Sequence, residues 1–315
     1  MSAEIPWFFV VGAQKAGTTT LHEWLRNCCE VALPWSKETH YFGDGERFSK
    51  GDQWYLKQFK VTAKTKVIGE IDPEYMYFPE CAQRIKCFTK NPKLIFILRD
   101  PLSRAYSNYL MSVRMGYEPL SFSDALQAEA GRLKGGDRFS RIHHAYIARG
   151  LYAKQMRLML EKLPNAEVKV LFFEELFSSQ ASAEKGFREI CEFIGVGTSD
   201  VAVDFEGRAN QSSEPRSRML RDLVYKDGWI KKTLGRLIPS RFLKITLVNY
   251  INDLNMRPIT STNSEKSEIL ANIPGHILEL LRRDLEELQQ LLNIELSELT
   301  RKYSSLIVNK SQEVK

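Results

Sequence analysis

Pro6-Trp-Phe-Phe-Val-Val-Gly12-Ala-Gln-Lys15-Ala-Gly17-Thr18-Thr19-Thr20-Leu21 is the stretch that decides the fold of this 315-residue chain. Phe8–Val11 is apolar without alternation, the pattern of a parallel strand covered on both faces. Gly12 and Gly17 follow, five apart, so that backbone N–H groups can converge on an anion at the start of a helix whose own N–H groups and dipole add to the attraction. The spacing is that of the front half of a Walker A loop. In that motif the second glycine precedes Lys and Ser/Thr, and the hydroxyl meets Mg²⁺. Here Thr18 and Thr19 follow directly, and the loop's one lysine, Lys15, lies inside it. Such a loop grips one phosphate and sets a cation beside it, without the usual lysine for a β/γ-phosphate pair.

Working outward, Lys93–Leu98 and Glu167–Phe173 are further apolar runs, and Val67–Glu70 reads as a shorter strand. Each long run leads into a helical pattern: Leu21, Trp24 and Leu25 after the first, Leu102, Tyr106 and Leu110 after the second, Phe187, Ile190, Cys191 and Ile194 after the third. Strand alternating with helix predicts an α/β fold with a central parallel sheet flanked by helices. Residues 112–140, with several glycines and charges, are expected to be a mobile or substrate-shaping excursion, followed by a helix from about Ile142 to Leu163 that Pro164 ends. Beyond the polar stretch Pro258–Pro274, Ile277, Leu280, Leu281, Leu285, Leu288, Leu292 and Leu296 predict an amphipathic helix packed on the domain, with a break near Asn293.

The length and a 43% hydrophobic composition predict one large domain, residues 1–308, with a disordered tail over 309–315. No 18-residue apolar window or secretory leader pattern is seen, so no stable membrane insertion and a cytoplasmic location are expected. The five cysteines, Cys28, Cys29, Cys81, Cys87 and Cys191, are odd in number, lack zinc-like spacing and suit reduced core thiols. No metal site is expected. The net charge of +6 fits a highly anionic cofactor and gives no ground for nucleic-acid binding.

Ile97-Leu98-Arg99-Asp100-Pro101-Leu102-Ser103-Arg104-Ala105-Tyr106-Ser107 carries a second anion-binding element. Arg99 follows a predicted strand at the edge where open α/β sheets bind ligands, and Ser107 lies eight residues on in the next helix. A guanidinium fork and a hydroxyl there suit a second phosphate, apart from the first.

With both elements in place, the chain resembles the sulfotransferase superfamily over most of residues 6–305. The resemblance implies a P-loop-like sulfotransferase fold, 3′-phosphoadenosine 5′-phosphosulfate as donor and adenosine 3′,5′-bisphosphate as product. Lys15, Ala16, Gly17, Thr18, Thr19 and Thr20 look like the 5′-phosphosulfate loop, Arg99 and Ser107 like the 3′-phosphate site. The stretch Gly207–Arg218 looks like the loop closing over the cofactor, with Arg216 or Arg218 meeting the 3′-phosphate. Lys37-Glu38-Thr39-His40-Tyr41-Phe42 and Gly69-Glu70-Ile71-Asp72-Pro73 resemble the heparan-sulfate-type and bacterial branch, whose proposed base matches Glu38, with His40 matching a nearby histidine. Ile71 stands where several of those enzymes have Lys.

Sulfuryl transfer needs an acceptor aligned opposite the departing phosphate, a base for its proton and cations where negative charge grows. Lys15 suits the last role, and Glu38 or His40 the base, being two apart so that extended backbone would point them to one side. The expected acceptor is a hydroxyl of a small metabolite, as in secondary metabolism, or of a glycan, with an amine or carbamate nitrogen as a further option. Tyr41, Phe42, Tyr75 and Tyr77 predict an aromatic pocket for a compact acceptor. The enzyme is expected as a monomer or homodimer. A polysaccharide sulfotransferase, a small-molecule kinase or P-loop hydrolase, and a noncatalytic nucleotide-binding protein are the alternatives.

Overall fold

The computed structural model describes residues 5–198, 205, 213–215, 256–258 and 273–313. Strand β1 (Trp7–Gly12) opens the fold and is followed by α1 (Thr18–Arg26), β2 (Val31–Ala32), α2 (Gly45–Phe48), α3 (Asp52–Leu56) and β3 (Val67–Ile71). Then come α4 (Pro79–Phe88), β4 (Lys93–Leu98), α5 (Pro101–Met115), α6 (Phe122–Lys134), α7 (Arg138–His143), α8 (Tyr152–Lys162), β5 (Glu167–Phe172), α9 (Phe173–Leu176) and α10 (Gln180–Ile194). The remaining elements are β6 (Ser213–Pro215), β7 (Met256–Pro258), α11 (Gly275–Leu292) and α12 (Ser297–Glu313).

Five strands form one sheet in the order β2-β3-β1-β4-β5, every neighbouring pair parallel, as the alternating pattern predicted. Strand β1 is the middle strand, with Phe9 opposite Glu70 on one side and Leu94 on the other. Its six residues are all buried, which is why the run is apolar without alternation. From β1 the chain moves to β2 and β3 on one side, then crosses to β4 and β5 on the other. The loops after β1 and β4 therefore leave in opposite directions, and a crevice opens between them at the C-terminal edge of the sheet. Short β6 and β7 pair antiparallel in a separate two-stranded sheet.

The chain groups into two compact units. The first comprises residues 1–104, 149–209 and 279–305 and carries the parallel sheet. The second comprises residues 105–148, 210–278 and 306–315. Within the second unit the buried carboxylate of Glu118 takes hydrogen bonds from the Arg132 guanidinium, the Tyr146 hydroxyl and the Leu120 N–H.

The predicted C-terminal amphipathic helix is present as α11. Leu281, Leu285 and Leu288 are buried, and the adjacent Asp284 carboxylate accepts the N–H of Ala153 at 3.1 Å in the first turn of α8. Asn293, with φ of 51°, breaks the helix where expected. Leu281→Ala should cost about 2–5 kcal/mol of folding stability, the range for emptying a leucine site in a core. Urea unfolding checks it, and a loss below about 1 kcal/mol would mean that the seam is not core.

Three expectations need correction. Residues 112–140 are largely helical, because Ser121 caps α6 by accepting the Asp124 N–H and Asp137 caps α7 by accepting the Ser140 N–H. The helix expected over 142–163 is instead α7, a 3₁₀ turn at Ala148–Gly150 and α8. Its interruption follows from Glu129, whose carboxylate accepts the N–H groups of Ile147 and Ala148 at 2.7 and 2.8 Å and so satisfies them outside a helix. Helix α12 runs to Glu313, into the stretch read as disordered, since no Gly or Pro lies between Ser297 and Lys315 to stop propagation. All five cysteines are free, with Cys28, Cys81 and Cys191 buried. Among the described residues no helix is long and apolar enough to cross a membrane.

Candidate active site

The phosphate loop leaves β1 at Gly12, where a Cβ would stand 2.1 Å from Met76 Sδ, so only glycine fits. Ala13 N–H donates to Ile97 O of β4 at 2.7 Å, which fastens the loop to the neighbouring strand. Lys15 and Gly17 both have positive φ, 71° and 82°. Such backbone turns N–H groups inward around a concavity, a nest for an anion. Gly17 is the N-cap of α1 and gives it no side-chain cap, so the first-turn N–H groups of Thr18, Thr19 and Thr20 are left to an incoming acceptor. A Cβ on Gly17 would meet Phe177 at 2.4 Å, so the cradle survives only with glycine. Thr18 and Thr20 are buried and Thr19 is half-buried.

Arg99 follows β4 on the same sheet edge. Its Nη1 donates to Lys15 O at 2.8 Å, and its guanidinium lies 4.3 Å from the centre of the Phe173 ring. Burial lowers its pKa from the ordinary arginine value, and a guanidinium keeps its charge in proteins. Its own carbonyl accepts the Tyr152 hydroxyl at 2.8 Å. The next residue, Asp100, caps α5 by accepting the Ser103 N–H at 2.7 Å and pairs with Lys302 of α12 at 2.8 Å. Arg99 is thus built into the phosphate loop more tightly than its spacing suggested. Arg99→Ala should weaken adenosine 3′,5′-bisphosphate more than adenosine 5′-monophosphate while weakening both, because the loop carbonyl also loses its donor. Calorimetry measures the two losses, and equal ones would remove Arg99 from the second phosphate. Ser107 is the seventh residue of α5, half-buried, in the second unit. Arg216 and Arg218 lie outside the described residues.

Glu38 and His40 do not lie on extended backbone. Both have positive φ, 62° and 52°, so the backbone at each is left-handed, on either side of Thr39. Buried side chains hold it. Glu70, fully buried in β3, accepts the Thr39 N–H at 2.7 Å and the hydroxyls of Tyr55 and Tyr75 at 2.6 and 2.8 Å. Burial, helped by the nearby Asp72 charge, pushes the Glu70 pKa up. Arg47 donates to Thr39 O, and Glu38 pairs with Lys37. Glu38 keeps 31% of its side chain exposed, enough for an acceptor to reach it.

His40 faces acidic company. Its N–H donates to Asp72 Oδ2 at 3.0 Å, and its ring Nδ1 lies 2.8 Å from the same oxygen and 3.7 Å from Glu74 Oε2. Burial disfavours charging the ring, but the Asp72 hydrogen bond and the charges of Asp72, Glu74 and Glu38 outweigh it and raise its pKa to about 9. The other oxygen of Glu74 meets Arg149 at 3.3 Å.

The aromatic pocket is a correction. Tyr41, Phe42 and Tyr75 are fully buried, and Tyr41 stacks on Tyr55 with ring centres 4.4 Å apart. Tyr77 lies under the Arg149 guanidinium. The rings of Tyr41, Phe42 and Tyr75 fill the core and offer no face to an acceptor, whereas Tyr77 is half-buried. Sequence reasoning also passed over Lys37, Asp72, Glu74 and Arg149. Asp72 was visible as a carboxylate just past the end of a buried strand, a position that buries charge only with a partner. Arg149 carried no such signal, since it reaches Glu74 from 75 residues away.

The family model described as the sulfotransferase domain matches residues 6–219. The chain is 37% identical over 113 residues to the membrane-associated sulfotransferase kil1 of Dictyostelium discoideum, covering 35% of this chain and 24% of that protein. It is 28% identical over 200 residues to heparan sulfate glucosamine 3-O-sulfotransferase 3B1 of Mus musculus, covering 62% of this chain and 47% of that protein. It spans about half or less of the length of these curated relatives. The crystal structure of a sulfotransferase from Alicyclobacillus acidocaldarius matches with a TM-score of 0.56 at 28% identity, covering 75% of this chain and 95% of that chain.

Proposed function

This chain belongs to the sulfotransferase family, and on that premise we propose that it transfers a sulfuryl group from 3′-phosphoadenosine 5′-phosphosulfate to a hydroxyl of a glycan or small molecule. The observation that carries the reading is the joint between two anion-binding elements: Arg99 after β4 bonded at 2.8 Å to the backbone of Lys15 after β1. A loop with one internal lysine and a second cation fastened to it suits a nucleotide carrying two separate phosphates. It is a poor seat for a triphosphate with Mg²⁺.

The loop fits the donor by its own construction, a positive-φ nest, an uncapped helix N-terminus and a glycine whose Cβ would run into Phe177. When bound, the donor supplies an activated sulfuryl group whose sulfur–oxygen bond to the 5′-phosphate breaks as the acceptor oxygen bonds to sulfur. Residues 15–20 hold the 5′-phosphate. Lys15 neutralises the negative charge left on the bridging oxygen. Arg99 holds the 3′-phosphate, with Ser107 and Arg216 or Arg218 assigned from sequence alone. Glu38 takes the acceptor proton, and the backbone held by Glu70 and Asp72 fixes its position.

Equilibrium binding of adenosine 3′,5′-bisphosphate against ATP, followed by transfer from labelled donor to a panel of glycans and hydroxylated metabolites, tests the proposal. Tight binding of the bisphosphate and saturable transfer to a hydroxyl are expected. Preference for ATP, or binding with no transfer to any acceptor class, would overturn it.

A further inference from the structure

Three carboxyl groups lie two residues apart at the end of β3 and beyond it: Glu70, Asp72 and Glu74, all buried. Buried negative charge must be paired or it costs several kcal/mol per group (an order of magnitude). Arg149 answers Glu74. Glu70 is satisfied by one N–H and two tyrosine hydroxyls, and burial favours its proton-bound form. Asp72 has no side-chain exposure; the Arg149 charge reaches it through space, and His40 meets its Oδ2 directly, through both its backbone N–H and its ring. Nδ1 of His40 and one oxygen each of Asp72 and Glu74 lie within 4.8 Å of one another. The 2.8 Å separation of Nδ1 and Oδ2 is ion-pair distance, and Arg149 on the far oxygen of Glu74 would repel a metal ion. The arrangement is that of a protonated ring between two carboxylates.

We propose that Asp72, seconded by Glu74, is a positioning residue that keeps His40 as an imidazolium, so that His40 is a fixed cation beside Glu38 and not the base. The inference rests on the sulfuryl-transfer reading for what the cation does, which is to offset negative charge on the transferring group. Its geometry is the 2.8 Å and 3.7 Å approach of the ring to Asp72 and Glu74. The charged groups facing the ring are Asp72 and Glu74 from beyond β3 and Glu38 from its own segment; Glu38 is paired with Lys37, and Glu74 with Arg149. Because the folded ring holds its proton more tightly than a free one, it is still charged at pH values where a free ring is neutral, and the charge is lost as pH rises through about 9.

Two measurements test this on the full chain. Long-range ¹H–¹⁵N spectra, with His40 assigned from the His40→Gln spectrum, follow the ring's titration without any substrate. His40 in the wild-type protein should titrate near pH 9, and in Asp72→Asn near the ordinary value of about 6.5. The charged fraction at pH 8 then falls about thirtyfold, so turnover of Asp72→Asn relative to wild type should fall about thirtyfold at pH 8 and recover almost fully at pH 6. If Asp72→Asn fails to fold, Glu74→Gln should lower the His40 titration by a smaller step. A wild-type His40 that titrates at or below 6.5, or a turnover ratio that is flat between pH 6 and 8, overturns the proposal. A high titration in a protein that turns over no donor at any pH would instead remove the sulfuryl-transfer reading and the role given to the cation, leaving the clamp itself established.

Discussion

Glu38→Gln should lower turnover by about 10²–10⁴-fold, the span for loss of a general base, while donor affinity stays unchanged. The amide keeps the size and hydrogen-bonding reach of the carboxylate but cannot accept the proton. The side chain is partly exposed on a segment whose backbone is held by Glu70, Asp72 and Arg47, so the substitution leaves that scaffold in place. Single-turnover rates with labelled donor, beside calorimetric binding of adenosine 3′,5′-bisphosphate, separate the two effects. Near-normal turnover would reject the role. If His40→Ala gave the large loss with donor binding intact while Glu38→Gln did not, the base would be His40 and the imidazolium clamp would fall with the assignment.

Lys15→Ala should cost about 10²–10³-fold in turnover, comparable to removing one preorganised group from a site of developing charge. Donor affinity should fall as well, since the same ammonium faces the phosphate in the ground state. The distinguishing result is the split: the loss in turnover at saturating donor should exceed the loss in bisphosphate affinity. Equal losses would make Lys15 a binding group only. The positive φ of Lys15 adds a control, because Lys15→Arg keeps both charge and backbone preference but lengthens the side chain, and should recover affinity before it recovers rate.

The strand, glycine loop and helix start over residues 7–26 were legible because their requirements are local. A buried strand needs an unbroken apolar run, a nest needs glycine where φ is positive, and a helix start supplies its own donors; all three fall within the ten residues after Phe8. The parallel sheet was legible for the same reason, since each central strand is buried on both faces and declares it in composition. The 3₁₀ break after α7 was not, because Glu129 satisfies the backbone of Ile147 and Ala148 from an earlier helix. Neither was the fate of Tyr41, Phe42 and Tyr75, whose rings suit a pocket and a core equally until the sheet decides which side they face.

By itself, then, the sequence determined the fold class, the glycine loop with Lys15 inside it and the arginine that follows β4, for these depend on short-range backbone geometry and strand burial. Tertiary structure alone decided that Arg99 is tied to Lys15, that Glu38 and His40 have left-handed backbone, and that His40 is answered by Asp72 and Glu74. Those contacts join residues 32 to 84 positions apart, and charge acts through space. A carboxylate and an imidazole carry no mark of each other along the chain, and only when folding removes them from water does their pairing acquire the energy that fixes the site.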